Sequence, residues 1–514
     1  MVVVGAGHNG LVAACYLARA GLDVEVVERD DLVGGAVSTV TRWPGVAVDR
    51  GSTLHVMVRH TGIIEELDLA DVGLRYIDTD PWAVAPYDDG ALVFSTDVAR
   101  TCSSIRETCG DADAAAYADF VDRWMPRVEA MLSAFHHAPT PGRLFRAFWP
   151  LGRRSRRSGA ELAGEFLTSA DGVLDATFRD ERLKTALAWW SAQAGPAPHE
   201  VATAPLLATT LLMHLRAPGR PVGGSGALTQ ALVRRLESLG GTIRVGDGAH
   251  SISSESVTTA GGERIGARAV VCATHVLTML DLLGTDRSAP QAYDSQRHRL
   301  RAGSGLGMVL RVLTDRLPTY AGAGEDAHRG MQLLVRSRAQ LRAAYAQFLQ
   351  GDVPSDPPLL VMTPTATDDS LAPPDRHVVT IWTQWHPRHP RAESWDEIRD
   401  RETARLVEAM DGWSPGFAGS VRDTLLQTPA DLEHELDLRG GNVMHLDMSL
   451  DAMFALRPLP EWSSYRGPEG IYLCGASTHP GGGVSGASGR SVAQVVVRDL
   501  QRAWWQRGSR RAPR

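Results

Sequence analysis

Apolar positions along this chain follow two periods, and the first ten residues already carry a strand into a helix. Val2-Val3-Val4 is a continuous apolar run, the pattern of a strand buried on both faces. It passes through Gly5-Ala6-Gly7-His8-Asn9-Gly10 into residues 11–20, apolar at helical spacing and closed by Gly21. A second apolar strand, 24–27, ends on Glu28, so a strand, helix, strand unit is predicted. The pattern recurs later as a helix over 229–239, the turn Gly240-Gly241, a strand over 242–245 and another over 269–273. Near the far end a strand over 470–474 meets a glycine-rich loop and then an apolar helix over 491–500. Residues 378–386 alternate as a strand does, which would put Trp382 and His386 on one face, the floor of a substrate cavity.

The N-terminal glycines have separate physical tasks. Gly5 permits the tight turn, Gly7 lets a pyrophosphate approach the backbone, and Gly10 lets helix and strand pack closely. His8 and Asn9 open the helix whose free N–H groups and positive dipole end suit a diphosphate. Glu28 stands where it can accept both ribose hydroxyls and repel a 2'-phosphate, with Arg29 beside it. Gly34-Gly35 follow after a short spacer, and this extended pattern resembles that of the glutathione-reductase-like FAD proteins, which makes FAD the expected cofactor. In that resemblance Asp49 to His55 passes the flavin, and His55 is a candidate substrate contact. The adenine-side position aligns with Ala249, where the family has valine.

Composition narrows the class. The chain has 514 residues, 43% hydrophobic and 22% charged, with a net charge of -7. Such a chain is an ordinary globular protein of more than one structural unit, without the basic footprint that nucleic acid requires. Cys15, Cys102, Cys109, Cys272 and Cys474 show no CxxC spacing, which argues against a zinc site, a disulfide framework or a redox-active pair. No HExxH motif is present and no metal is expected. Lys184, the only lysine, is the single candidate for any lysine-based chemistry. With no charged leader ahead of the first strand and no long apolar run, a cytoplasmic location is expected.

The loop Gly475-Ala-Ser-Thr-His479-Pro-Gly481-Gly482-Gly483-Val484-Ser-Gly486 delivers a row of backbone N–H donors suited to electron-rich oxygens or an anion. With Gly440-Gly441-Asn442-Val443-Met444-His445, Ser449-Leu450-Asp451 and Arg457-Pro458, it resembles the bacterial phytoene desaturase family. Within that family the likeness is to the branch called pyridine nucleotide-disulfide oxidoreductase domain-containing protein 2. The branch carries glutamine where this chain has Ala452. The resemblance implies that Gly475 lies by the ribityl-diphosphate, and that Gly482, Gly483 and Val484 serve the flavin, the last two on its pyrimidine side. His479 and His445 are the candidate polar groups for catalysis.

The implied fold is α/β, a glutathione-reductase-like doubly wound FAD-binding domain with an α+β substrate domain of mixed sheet and helices. Residues 1–95, 220–285 and 441–507 would form the first, 96–219 and 286–440 the second, and 508–514 a disordered basic tail. The expected reaction is hydride loss from a carbon of a hydrophobic substrate to the flavin, with formation of a double bond. Amine oxidation, redox-neutral polyene isomerisation and a non-enzymatic flavin-binding role remain the alternatives. Leu144 to Trp149 beside Arg153, Arg154, Arg156 and Arg157 puts peripheral membrane contact through 143–157 beside the plainer reading of a solvated charge run. Oligomeric state has no signal.

Overall fold

Val3 sits at the centre of a five-stranded parallel sheet, paired with Val26 on one side and Val271 on the other. All three residues of Val2–Val4 are buried, because helices cover one face of the sheet and a three-stranded antiparallel sheet, with Ile252 and Val257, covers the other together with the helix Val276–Gly284. In spatial order the strands are Tyr472–Leu473, Val270–Cys272, Val2–Val4, Glu25–Val27 and Thr242–Arg244. The helices His8–Arg19 and Gly226–Ser238 pack on one face through Leu11, Leu17, Leu228 and Leu232, together with Val492 and Val496 of Ala487–Ser509. This computed structural model describes residues 1–155, 159–284 and 293–509.

A seven-stranded mixed sheet forms the second layer, in the order Val421–Gln427, Gly307–Thr314, His377–Gln384, Leu359–Met362, Met331–Leu334, Ala83–Tyr87 and Gly90–Phe94. Val379 and Ile381 face the helix Trp395–Trp413 on one side. The opposite face carries the helical region that begins at Val98, with Trp82, Phe94, Trp189 and Trp385 in one core. Residues 83–94 thus belong to the seven-stranded sheet, and a boundary at 95 falls too late: Met331 pairs in parallel with Ala83, a contact no local pattern announces. The boundary at 285/286 lies outside the described residues, as do 510–514 of the basic tail, whereas 508 and 509 continue the C-terminal helix.

The two sheets are locked together. Trp43, Val46 and Val48, from the ribbon 39–49, pack on Leu313 and Val378. Arg311 is buried between them and donates from Nε to the Asp49 carbonyl at 2.7 Å, from Nη2 to the Arg50 carbonyl at 2.7 Å, and from Nη1 to Gln427. Burial lowers its pKa to about 10. A cation this deep stays only because its donors are met.

Candidate functional site

Each N-terminal glycine does one physical job. Gly5 turns the chain at a φ of +99° and donates its N–H to Val27 O at 2.8 Å. Gly10 brings the helix against the strand so closely that a Cβ there would lie 2.2 Å from Gly5 O. Gly7 caps the helix His8–Arg19 with no side-chain bond, and a Cβ there would meet nothing within 4 Å. The helix start therefore opens on free space with its N–H groups unspent.

That space is a crevice of about 1010 Å³, part of it open to solvent, and it gathers Gly5, Gly7, His8, Asn9, Glu28, Arg29, Gly34, Gly35, Ala249, His445 and Gly475. The Glu28 carboxylate is pinned by the N–H of Ala6 at 2.7 Å and of Asp30 at 3.0 Å. Gly34, at a φ of +110°, donates to Ala6 O at 2.9 Å, and Gly35 follows at +55°. Gly248 lies against Arg29, where a Cβ would come within 2.4 Å of the arginine Cβ, and Ala249 continues that wall. Asn9 Oδ1 is buried without a partner in the protein, while its Nδ2 meets His8 Nε2 at 3.0 Å. An open helix start, a pinned acid and an unmet amide oxygen together fit an extended dinucleotide.

Two histidines stack beside this crevice with rings 4.8 Å apart. His275 Nδ1 accepts the Leu277 N–H at 3.1 Å, so its proton is on Nε2, donated to His445 O at 3.0 Å. Ser477 Oγ accepts the Val276 N–H at 3.0 Å and lies 3.0 Å from His445 Nδ1. The buried hydroxyl needs an acceptor and the imidazole nitrogen supplies one, which leaves the His445 proton on Nε2. Burial lowers His8 and His275 to about 4 and takes His445 well below its ordinary value. These are neutral imidazoles, and His445 is a hydrogen-bond donor rather than a base.

The glycine loop rests on methionines. A Cβ at Gly481 would meet Met448 Sδ at 2.8 Å, and one at Gly482 would meet Met444 Sδ at 2.5 Å. Gly483 has a φ of +97° with only Met57 Cγ at 3.4 Å, and Val484 turns at +52°. Arg457 lies buried beneath, donating to the carbonyls of Met444 at 2.8 Å, Asp447 at 2.6 Å and Ala476 at 2.8 Å. It fastens 444–447 to the loop.

His479 faces away from the crevice. Its Nε2 bonds Ala134 O at 3.0 Å, its Nδ1 has no partner, and Phe135 and Phe454 pack on the ring. Burial lowers it to about 4. His55 is a strut: both nitrogens are spent, on Tyr76 Oη at 2.8 Å and Ser225 Oγ at 2.8 Å, so the expected substrate contact has no free polar atom. Trp382 is half-buried on the inner sheet face, against the helical core. His386 does not share that face. Trp385 takes a φ of +66°, which breaks the alternation, and His386 turns instead toward Trp395. Lys184 is bound to Glu181 at 2.9 Å and Asp175 at 3.3 Å, as a helix brace.

Sequence reasoning missed His275, Thr278 and Asp437, which also line the crevice. Asp437 turns at a φ of +55° and accepts from Thr278 Oγ1 at 2.7 Å, and burial raises its carboxyl. The available signal for His275 was its place just after an apolar strand.

Residues 10–411 match the flavin containing amine oxidoreductase family. Mouse pyridine nucleotide-disulfide oxidoreductase domain-containing protein 2 is 33% identical across 97% of this chain and 93% of its own length. A phytoene dehydrogenase from Streptomyces griseus is 27% identical across 97% of this chain and 95% of that protein. A putrescine oxidase triple mutant superposes with a TM-score of 0.61 at 17% identity, covering 98% of each chain, which shows the fold. The resemblance to phytoene desaturases and to that branch is borne out. The chain belongs to the flavin containing amine oxidoreductase family, a FAD-dependent oxidoreductase built on the fold its glycines announce.

Proposed function

We propose that this protein is a dehydrogenase that takes a hydride from a carbon of an apolar substrate and leaves a double bond. The observation that carries this reading is the protonation of the site. His8, His275 and His445, which line the crevice, are all held neutral by burial, and among the described residues none is paired with a carboxylate that would make it a strong base. Bound FAD supplies the hydride acceptor. Gly5, Gly7, Glu28 and Gly34 would hold its adenosine diphosphate half, and Gly475 and Gly482 to Val484 its flavin half. Backbone N–H groups of the glycine loop would favour negative charge on a flavin ring held there, a fixed dipole effect.

Apolar side chains lie near that loop. A Cβ at Gly483 would meet Met57 Cγ at 3.4 Å, and Leu54, Val56, Met57, Trp190, Met362 and Trp382 are half-buried against the helical core. Such walls position a hydrocarbon and exclude water, and they offer no counter-ion to an ammonium group. The relatives named phytoene dehydrogenase and phytoene desaturase support an unsaturated isoprenoid or lipid-like substrate. The test is anaerobic mixing of the holoprotein with isoprenoid polyenes and, separately, with small amines while flavin absorbance is followed. Bleaching by polyenes is expected. Bleaching by amines alone, or by nothing, overturns the reading.

A further inference from the structure

Outside the buried cores a line of aromatic rings runs from the surface to the glycine loop. Phe145 and Trp149 meet as a tilted pair with ring centres 4.8 Å apart on the helix Pro141–Ser155, and they are 59% and 52% exposed. Phe148, three residues after Phe145, meets Phe166 at 5.9 Å and Phe454 at 5.9 Å, both edge-on. Phe454 stacks on Phe135 at 5.7 Å and lies 5.7 Å from the His479 ring, two residues before Gly481. Phe135, Phe148, Phe166 and Phe454 are only half-buried, and among the described residues none belongs to a core cluster.

Rings of this size gain most by full burial, so a half-buried line of them has a different use. Phe454 also sits at a φ of +53°, in the left-handed region that a bulky residue rarely adopts and that persists mainly at functional positions. We propose that this line is the way in for an extended apolar ligand, with Phe454 as its gate. The exposed Phe145 and Trp149 pair is the mouth, Phe148 stands behind it, and Phe454, packed between Phe135 and the His479 ring, closes the inner end. A flat unsaturated chain matches this surface, because it stacks on ring faces and needs no polar partner. The inference rests on the apolar-substrate reading above and adds the route and the residue that controls it.

The probe is all-trans-retinol, a fluorescent polyene, whose binding to the oxidised holoprotein is followed by stopped flow. It is delivered once from cyclodextrin and once from phosphatidylcholine vesicles. F454W should slow association by about tenfold and F454A should speed it, with FAD content unchanged in both, as expected when one side chain gates a path. The surface double variant F145D/W149D, which leaves the core intact, should slow association about fivefold with either carrier. Equal rates in all four proteins overturn the proposal. Slowing confined to vesicles overturns it in favour of a bilayer contact, and a wild-type dimer that F145D/W149D splits overturns it in favour of a subunit interface. Because binding is read without turnover, retinol that binds as expected while no polyene bleaches the flavin would sink the dehydrogenase reading and leave the route standing.

Discussion

Ser477 and His445 meet at 3.0 Å, and that one contact decides which imidazole nitrogen carries the proton. Ser477 is itself committed by the Val276 N–H, so its hydroxyl has a single direction left to donate. In S477A the Val276 N–H loses its acceptor and the His445 tautomer is released. A loss of stability of about 1–3 kcal/mol is expected, with weaker FAD retention. H445N, which keeps a donor, should retain FAD better than H445A. Titration of apoprotein with FAD decides it, and equal affinity in the two variants would remove the donor role.

The two neighbouring glycines of the first turn should fail in different ways. G10A drives a methyl group into the Gly5 carbonyl, 2.2 Å away, and should cost more than about 3 kcal/mol of stability with or without cofactor. G7A meets nothing within 4 Å, so the apoprotein should melt as wild type does while FAD content falls. Thermal midpoints of apo and holo forms separate the two.

Acid should unfold the protein early. His8, His275 and His479 have folded pKa values near 4, and His55 and His386 near 3, against an ordinary 6.5, all through burial. Between these values the unfolded chain binds more protons than the folded one, so stability is complete above about pH 6.5 and falls as pH drops toward 4. Each group contributes up to about 3 kcal/mol over that range. Denaturant midpoints between pH 7 and pH 4.5 should decline steeply, and H386Q should flatten the decline. A flat profile would contradict the buried neutral histidines.

Trp382 and His386 offer a contrast on one strand end. W382A removes an apolar surface from the inner face and should raise KM for an apolar substrate about tenfold while FAD stays bound. H386Q lies on the far side, against Trp395, and should leave KM unchanged. Steady-state kinetics of the two variants would expose an error if both moved KM together.

The cofactor glycines were readable because each answers a local demand: a positive φ at Gly5 and Gly34, a close approach at Gly10, an opening at Gly7. Those demands leave a mark at fixed spacing. His275 and His445 join across 170 positions, and nothing near either residue encodes the meeting. The face of His386 was misread because a tryptophan, not a glycine, takes the left-handed turn at 385. His55 is expected at the substrate, but Tyr76 and Ser225, brought together by the pairing of Tyr76 with Pro221, claim both its nitrogens. Residues 83–94 were grouped with the FAD-binding segments, whereas they join the seven-stranded sheet through a partner strand far along the chain.

Gly489 packs so tightly on the first helix that a Cβ there would stand 2.3 Å from Asn9 O, and Cys474 Sγ reaches the same carbonyl across 465 positions. Two segments more than 460 positions apart therefore share one carbonyl as their seat. Flavin retention in a purified preparation reports whether that seat is occupied, and a variant that unseats Gly489 should lose its colour before it loses its sheets.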